Sequence, residues 1–70
     1  MLLSQTSEQK KYRIIAINVK HNMKLKLLSL GISELSEITT LRNNKGDIVI
    51  GLNHSRIALD KNISKYIKVK

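Results

Sequence analysis

The chain has 70 residues, and thirteen lysines and arginines against five acids give it a formal net charge of +8. A chain of this size buries only about 60% of the surface that its unfolded form exposes, so its core is thin. Cysteine is absent, which excludes a disulfide framework and a thiolate zinc site. No segment approaches the roughly 20 apolar residues of a membrane-spanning helix, and the opening residues lack the pattern of a secretory signal. We therefore expect one soluble, cytoplasmic domain over residues 1–70.

The first predicted element is a strand at residues 12–19, YRIIAINV, which is rich in β-branched residues. Strand alternation assigns its apolar residues to two opposite faces, with Tyr12, Ile14 and Ala16 on one and Ile15, Ile17 and Val19 on the other. A strand that is apolar on both faces is typical of the centre of a small sheet or barrel.

A short helix of about two to three turns is predicted next. Its apolar residues repeat at helical spacing and should form one stripe that faces the core: Met23, Leu27, Leu28 and Leu30. The remaining arc carries Lys20, Lys24 and Lys26. Asn22 is the predicted N-cap, and Gly31 stands where a helix favours a left-handed residue after its last turn. Ile32 should close over that turn.

The second half of the chain predicts short strands joined by tight turns. A weakly alternating run at residues 37–41, a turn cluster at 43–47 and the run IVIGL at 48–52 together indicate a hairpin. Gly51 inside the last run indicates a bulge or the close approach of another backbone. A second turn at residues 53–55 leads to a strand at 56–59, Asp60 should cap one helical turn that runs to Ile63, and residues 66–69 return to strand character. One helix and about five short strands suit a small, mainly β barrel.

Catalytic and metal-binding patterns are missing. Only Glu34 and Glu37 are close among the five acids, and a solvated pair explains them better than an acid–base dyad. His21 and His54 lie in or beside predicted turns, and a metal site would require both to meet an acid such as Asp47. No glycine-rich phosphate motif is present. These observations predict a binding module with no catalytic, cofactor or metal residues.

The charge of +8 indicates an acidic protein, an anionic membrane surface or nucleic acid as partner. An equally open reading is a solvated surface with no such partner, since ten of the thirteen cations are lysine. Base-stacking surfaces need several aromatic residues, and this chain has only Tyr12 and Tyr66. Nucleic acid is therefore the less favoured partner, although binding to phosphates alone through lysines leaves no sequence signature.

Several segments carry a more specific pattern. They are Arg13-Ile14 in the first apolar run, KLKLLSLGI at residues 24–32, and GDIVIGLNHSRIALDKNISKYIKV at residues 46–69. In these segments the chain resembles the FeoA family of small cytoplasmic ferrous iron transport proteins, and the resemblance covers about residues 2–69. Two positions depart from the family pattern. Glu34-Leu35 stands where members usually carry Pro-Gly, and Gln9-Lys10-Lys11 stands where a glycine usually precedes the first strand.

The resemblance implies an SH3-like β-barrel of about five strands with a short helix inserted after the first strand. It also implies a non-enzymatic accessory of a FeoB-type membrane iron transporter, acting on the transporter's cytoplasmic GTP-binding domain and held at the inner face of the membrane through that partner. We predict contacts through the outer face of the helix, at Lys20, Lys24, Leu25 and Lys26, with anionic lipid attracted by the positive charge.

Two alternatives stay open. The same barrel is found as the C-terminal domain of iron- and manganese-dependent repressors, and the length of 70 residues favours the transport accessory over such a regulator-type domain. A small basic nucleic-acid-binding barrel is the other alternative, and it predicts oligonucleotide binding that weakens steeply as salt rises.

Overall fold

The computed structural model describes residues 1–70. In chain order its elements are a 3-10 turn (Leu3–Gln5), β1 (Lys10–Ile17), α1 (His21–Ser29), β2 (Glu37–Asn44), β3 (Asp47–Leu52), β4 (Ser55–Leu59), α2 (Lys61–Ser64) and β5 (Ile67–Val69). The five strands form one antiparallel sheet in the order β4-β3-β2-β1-β5. This is the mainly β, SH3-like arrangement that the sequence predicts, with the helix after the first strand. The sheet does not close into a full barrel, because its edge strands β4 and β5 do not pair.

The first strand is interrupted by a β-bulge that the sequence pattern does not reveal. β1 pairs with β5 at Ile14 and again at Ala16, and the register shifts between these two residues. As a result Ile14 and Ile17 are both buried, whereas Ile15 is exposed. The predicted alternation, with Ile15 and Ile17 on the same face, is therefore wrong, because the extra residue at the bulge reverses the facing of the residues after it.

The end of α1 is the predicted glycine cap. The amide of Gly31 donates to the carbonyl of Leu28 (2.9 Å), and the amide of Ile32 donates to the carbonyl of Leu27 (2.9 Å). Gly31 has a φ of +91°, and this set of bonds is a Schellman motif, which brings the residue after the glycine back over the last turn. Ile32 and Leu27 are accordingly both buried.

Two predictions about α1 are wrong. The N-cap is Lys20 rather than Asn22, because the helix already begins at His21. Leu28 and Leu30 were expected in the core, yet both are exposed. Leu28 lies about 100° around the helix from the buried Leu27, and Leu30 is the C-cap residue, so it no longer follows the helical repeat. Because the chain reverses at Gly31, Ile32 and not Leu30 lies in the core.

The two predicted tight turns are confirmed. Lys45 and Gly46 connect β2 to β3, and Asn53 and His54 connect β3 to β4, all with positive φ, as type I′ hairpin turns require at both central positions. Gly51 does accompany a bulge, but the bulge is in β2, where the register shifts between Thr40 and Arg42.

The intervening residue, Leu41, lies against Gly51. A Cβ at Gly51 would lie 3.4 Å from a Leu41 methyl group, which is an ordinary van der Waals distance. The nearest neighbour of Gly51 is therefore a side chain and not another backbone, and the packing does not require a glycine at this position.

The last elements also follow the prediction. Asp60 caps α2 by accepting a hydrogen bond from the Asn62 amide at 2.9 Å, and β5 then returns to the sheet. Together the elements enclose a core of twelve buried apolar residues: Leu3, Ile14, Ile17, Leu27, Ile32, Ile38, Ile48, Ile50, Leu52, Leu59, Ile67 and Val69. Neither helix has the length and apolar content that crossing a membrane would need.

Candidate partner-binding surface

Helix α1 covers the sheet with one narrow face. Leu27 is buried and Met23 packs against the core, so the inward direction of the helix lies between these two side chains. At about 100° per residue, Leu25 points almost directly away from the core. Leu25 was predicted to face outward, and in the structure this residue is 51% exposed.

Three further leucines are exposed at the end of α1 and in the loop that follows it. The exposed fractions are 56% for Leu28, 52% for Leu30 and 74% for Leu35, which lies in the loop between α1 and β2. We call Leu25, Leu28, Leu30 and Leu35 the leucine patch. Single exposed leucines are ordinary on protein surfaces, whereas several large apolar residues on one helix and its following loop indicate a surface that meets a partner.

An ion pair holds the loop against the helix. The Lys24 Nζ lies 3.0 Å from the Glu34 Oε1, and this hydrogen bond is the main reason why the pKa of Glu34 is lowered. Lys24 and Leu28 are four residues apart and therefore share one face of the helix. The pair thus ties Glu34, the residue before Leu35, to the side of the helix that carries Leu28.

The backbone at Leu35 is strained. Its φ is +76°, a left-handed conformation that costs about 1–2 kcal/mol for a residue with a Cβ. A hydrogen bond from the Leu35 amide to the Ile14 carbonyl (2.8 Å) fixes this conformation. Leu35 occupies the position where the FeoA family pattern usually has glycine, and Gln9, before the first strand, likewise has a φ of +65°. Both turns therefore have the left-handed backbone that glycine favours, although leucine and glutamine stand at these positions.

The structure places all four predicted contact residues on α1 or at its start. Lys20 is the N-cap residue, Lys24 is paired with Glu34, and Lys26 is exposed in the last turn. Lys24 and Lys26 lie on opposite sides of Leu25. Leu28, Leu30 and Leu35 were not predicted as surface residues. A helical wheel centred on Met23 and Leu27 would have placed Leu28 outside the core, whereas no local signal marks Leu35.

The candidate acidic and histidine residues lie in different parts of the fold. No group of three histidine, cysteine, aspartate or glutamate side chains is arranged to hold a metal ion. Glu34 and Glu37 each contact a different cation, Lys24 and Arg13 respectively. His21 begins α1 and His54 lies in the turn between β3 and β4.

Comparisons with known proteins agree with this geometry. A family model described as the FeoA domain matches residues 1–70. The chain resembles the crystal structure of an iron uptake regulatory protein (FeoA) with 27% sequence identity and a TM-score of 0.90, covering 100% of this chain and 95% of that one. It also resembles iron(II) transport protein A from Clostridium thermocellum, with 25% identity and a TM-score of 0.89, covering 100% of this chain and 44% of that one.

A manganese-dependent transcriptional repressor shares the fold with 18% identity and a TM-score of 0.86, and the match covers 96% of this chain and 39% of the repressor. A search of proteins with curated functions found no match to this sequence.

Proposed function

This chain belongs to the FeoA family, which is associated with ferrous iron transport, and from that premise we propose that it is a non-enzymatic accessory of a ferrous iron transporter. It acts by binding the cytoplasmic GTP-binding domain of a FeoB-type membrane transporter. The binding surface is the outer side of α1 together with the loop that follows it.

The leucine patch is the observation that carries this proposal. Its four leucines are each at least half exposed, and a partner that covered them would remove that apolar area from water at about 25 cal/mol per Å². The strained φ of Leu35 adds a second argument. Backbone strain that persists at an exposed apolar residue is typical of sites where the strained geometry serves a function.

The charges around the patch favour an acidic partner surface. Lys20 and Lys26 make no ion pair within the chain, and the whole chain carries a net charge of +8. Complementary charge at the rim of an interface chiefly accelerates association and selects the partner, while buried apolar anchors supply most of the affinity. The lysines therefore steer the encounter, and the leucines hold the complex.

The test is a binding measurement between this protein and the isolated GTP-binding domain, without nucleotide, with GDP and with a GTP analogue. Leu25→Ser combined with Leu28→Ser should weaken binding by at least about tenfold, because burying about half of each leucine contributes roughly 1 kcal/mol. Replacing Lys24, Leu25 and Lys26 together should also reduce iron transport in cells while the domain stays folded.

A matched control separates the surface from the net charge. Lys24→Gln with Lys26→Gln removes the two charges on either side of Leu25, and Lys10→Gln with Lys68→Gln removes two from exposed positions on β1 and β5. The Lys24 and Lys26 substitutions should slow association with the GTP-binding domain more than the Lys10 and Lys68 substitutions do. Absence of binding in all three nucleotide states would refute a direct action on this domain, and normal transport by the triple variant would refute the assignment of the surface.

A further inference from the structure

A second basic surface lies away from α1, at the tip of the hairpin formed by β2 and β3. An open groove of about 480 Å³ is lined there by Ser4, Asn43, Lys45, Gly46, Lys61 and Lys65. None of these residues is apolar and none is acidic. We call this feature the lysine groove.

Close contacts and hydrogen bonds join the β2–β3 turn to α2 at the base of the lysine groove. Gly46 packs so closely on α2 that a Cβ at this position would lie 2.9 Å from the Lys61 Cβ. The buried Ser64 hydroxyl donates to the Gly46 carbonyl, and the Lys61 amide donates to the Asp47 Oδ1 at 2.9 Å. These contacts hold the turn that carries Lys45 against α2, which begins at Lys61 and has Lys65 as its C-cap residue.

The polar groups at the base of the lysine groove are already used within the chain. The Asn43 side-chain amide donates to the carbonyls of Ser4 (3.1 Å) and Thr6 (2.7 Å), and its oxygen accepts from the Gly46 amide (2.9 Å). The three ammonium groups, in contrast, make no ion pair, since both ion pairs of the structure lie elsewhere. The Lys65 Nζ lies 5.3 Å from the centre of the Tyr66 ring, a contact that leaves its charge in place.

Three positive charges around one groove repel one another, and Lys61 and Lys65 do so at the helical spacing of four residues, at which like charges are destabilising. An anion with several oxygens removes this repulsion and accepts from all three ammonium groups. We propose that the lysine groove binds phosphate groups, and that its occupant is the anionic headgroup layer of a lipid bilayer. The choice of a bilayer rests on the proposed function, since an accessory of a membrane transporter works beside one.

The chemistry of the groove also favours a lipid surface over a soluble nucleotide. The lining contains no aromatic or apolar side chain, so nothing there can hold a base. Flexible lysines act as point charges, and their attraction to an anionic membrane adds up over the lysines that reach the surface.

The lysine groove lies far enough from the end of α1 for the two surfaces to bind different partners at the same time. Gly46 precedes the first residue of β3, whereas Gly31, at the end of α1, lies beside Leu52 at the other end of that strand. A strand of six residues spans roughly 20 Å. The groove and the C-terminal end of α1 are therefore far enough apart for one molecule to contact a bilayer and a protein at once.

The experiment measures binding of the purified protein to vesicles of phosphatidylglycerol and phosphatidylcholine in equal amounts, with pure phosphatidylcholine vesicles as the uncharged reference. A lysine near an anionic surface contributes roughly fivefold to membrane affinity, so replacing Lys45, Lys61 and Lys65 by glutamine should reduce it on the order of 100-fold. Lys65→Gln alone should reduce membrane affinity about fivefold. Binding should also weaken as salt rises.

The matched control replaces Lys10, Lys68 and Lys70 by glutamine, which leaves the same net charge as the groove variant. It should lose much less affinity. Equal losses in the two triple variants would overturn the proposal, because binding would then follow net charge alone. If inorganic phosphate at millimolar concentration displaced the wild-type protein from the vesicles more than sodium chloride of the same ionic strength, a soluble anion would be the occupant, and the membrane assignment would be wrong. No transporter is present in this assay, so its outcome is independent of the outcome of the GTP-binding-domain test.

Discussion

Leu35→Gly, compared with Leu35→Ala, separates the two roles that we assign to Leu35, because both changes remove the exposed apolar side chain and only the glycine also relieves the strained backbone. The left-handed conformation at φ +76° costs about 1–2 kcal/mol with a Cβ. Glycine loses about 0.5–1 kcal/mol more backbone entropy on folding. The residue is 74% exposed, so only about a quarter of the roughly 2 kcal/mol of a buried leucine is lost, or about 0.5 kcal/mol.

These terms nearly cancel, so the free energy of unfolding of Leu35→Gly should stay within about 1 kcal/mol of the wild type. The assay is urea unfolding followed by far-ultraviolet circular dichroism. Affinity for the transporter's GTP-binding domain should nevertheless fall about tenfold, because the exposed three quarters of the side chain would be worth roughly 1.5 kcal/mol in an interface.

Leu35→Ala is the matched control, because it removes nearly the same apolar atoms and keeps the strain. It should be less stable than Leu35→Gly by roughly 0.5–1 kcal/mol and should bind the partner as weakly. The strain argument is refuted if the alanine variant is as stable as the glycine variant. The interface argument is refuted if both variants bind like the wild type.

Other outcomes test the core, a turn and the ion pair. Leu27→Ala removes a buried side chain and should lower the free energy of unfolding by about 2–5 kcal/mol. Gly46→Ala should lower it by at least about 1–2 kcal/mol, because the new Cβ meets Lys61 at 2.9 Å and φ is +97°; a neutral result in urea unfolding would contradict this packing. The pKa of Glu34 is lowered in the folded state, so its contact with Lys24 stabilises the loop above the pKa of the unfolded carboxyl and is lost as pH falls through the folded value. A carbon-13 NMR titration should show that Lys24→Gln raises the Glu34 pKa, and an unchanged pKa would mean that the contact does not persist in solution.

The local elements could be read from the sequence because short-range chemistry specifies them. Glycine at position 31 ends α1, Asp60 caps α2, and the polar residues around Gly46 form the hairpin turn. Each depends on a residue type at a position where few others fit. The outer face of α1 was also predictable, because helical spacing alone directs Leu25 away from Met23 and Leu27.

Other features depend on contacts between residues distant in the chain, and no local pattern encodes them. The bulge that exposes Ile15 arises from the register between β1 and β5, and Leu30 is exposed because the chain reverses and Ile32 takes its place in the core. Leu35 keeps a glycine-like conformation because its amide bonds to Ile14 in β1.

The lysine groove also combines a local property, the charge of its lysines, with a tertiary one, their closeness in space. Its lysines are ordinary in the sequence, and they become one surface only because the β2–β3 turn packs on α2. The local sequence therefore specifies the strands, the caps and the charge of the chain, because backbone conformation and side-chain charge are properties of single residues and near neighbours. Which leucines stay outside and which lysines meet is decided by tertiary packing, because register and chain reversal set the distances between distant side chains.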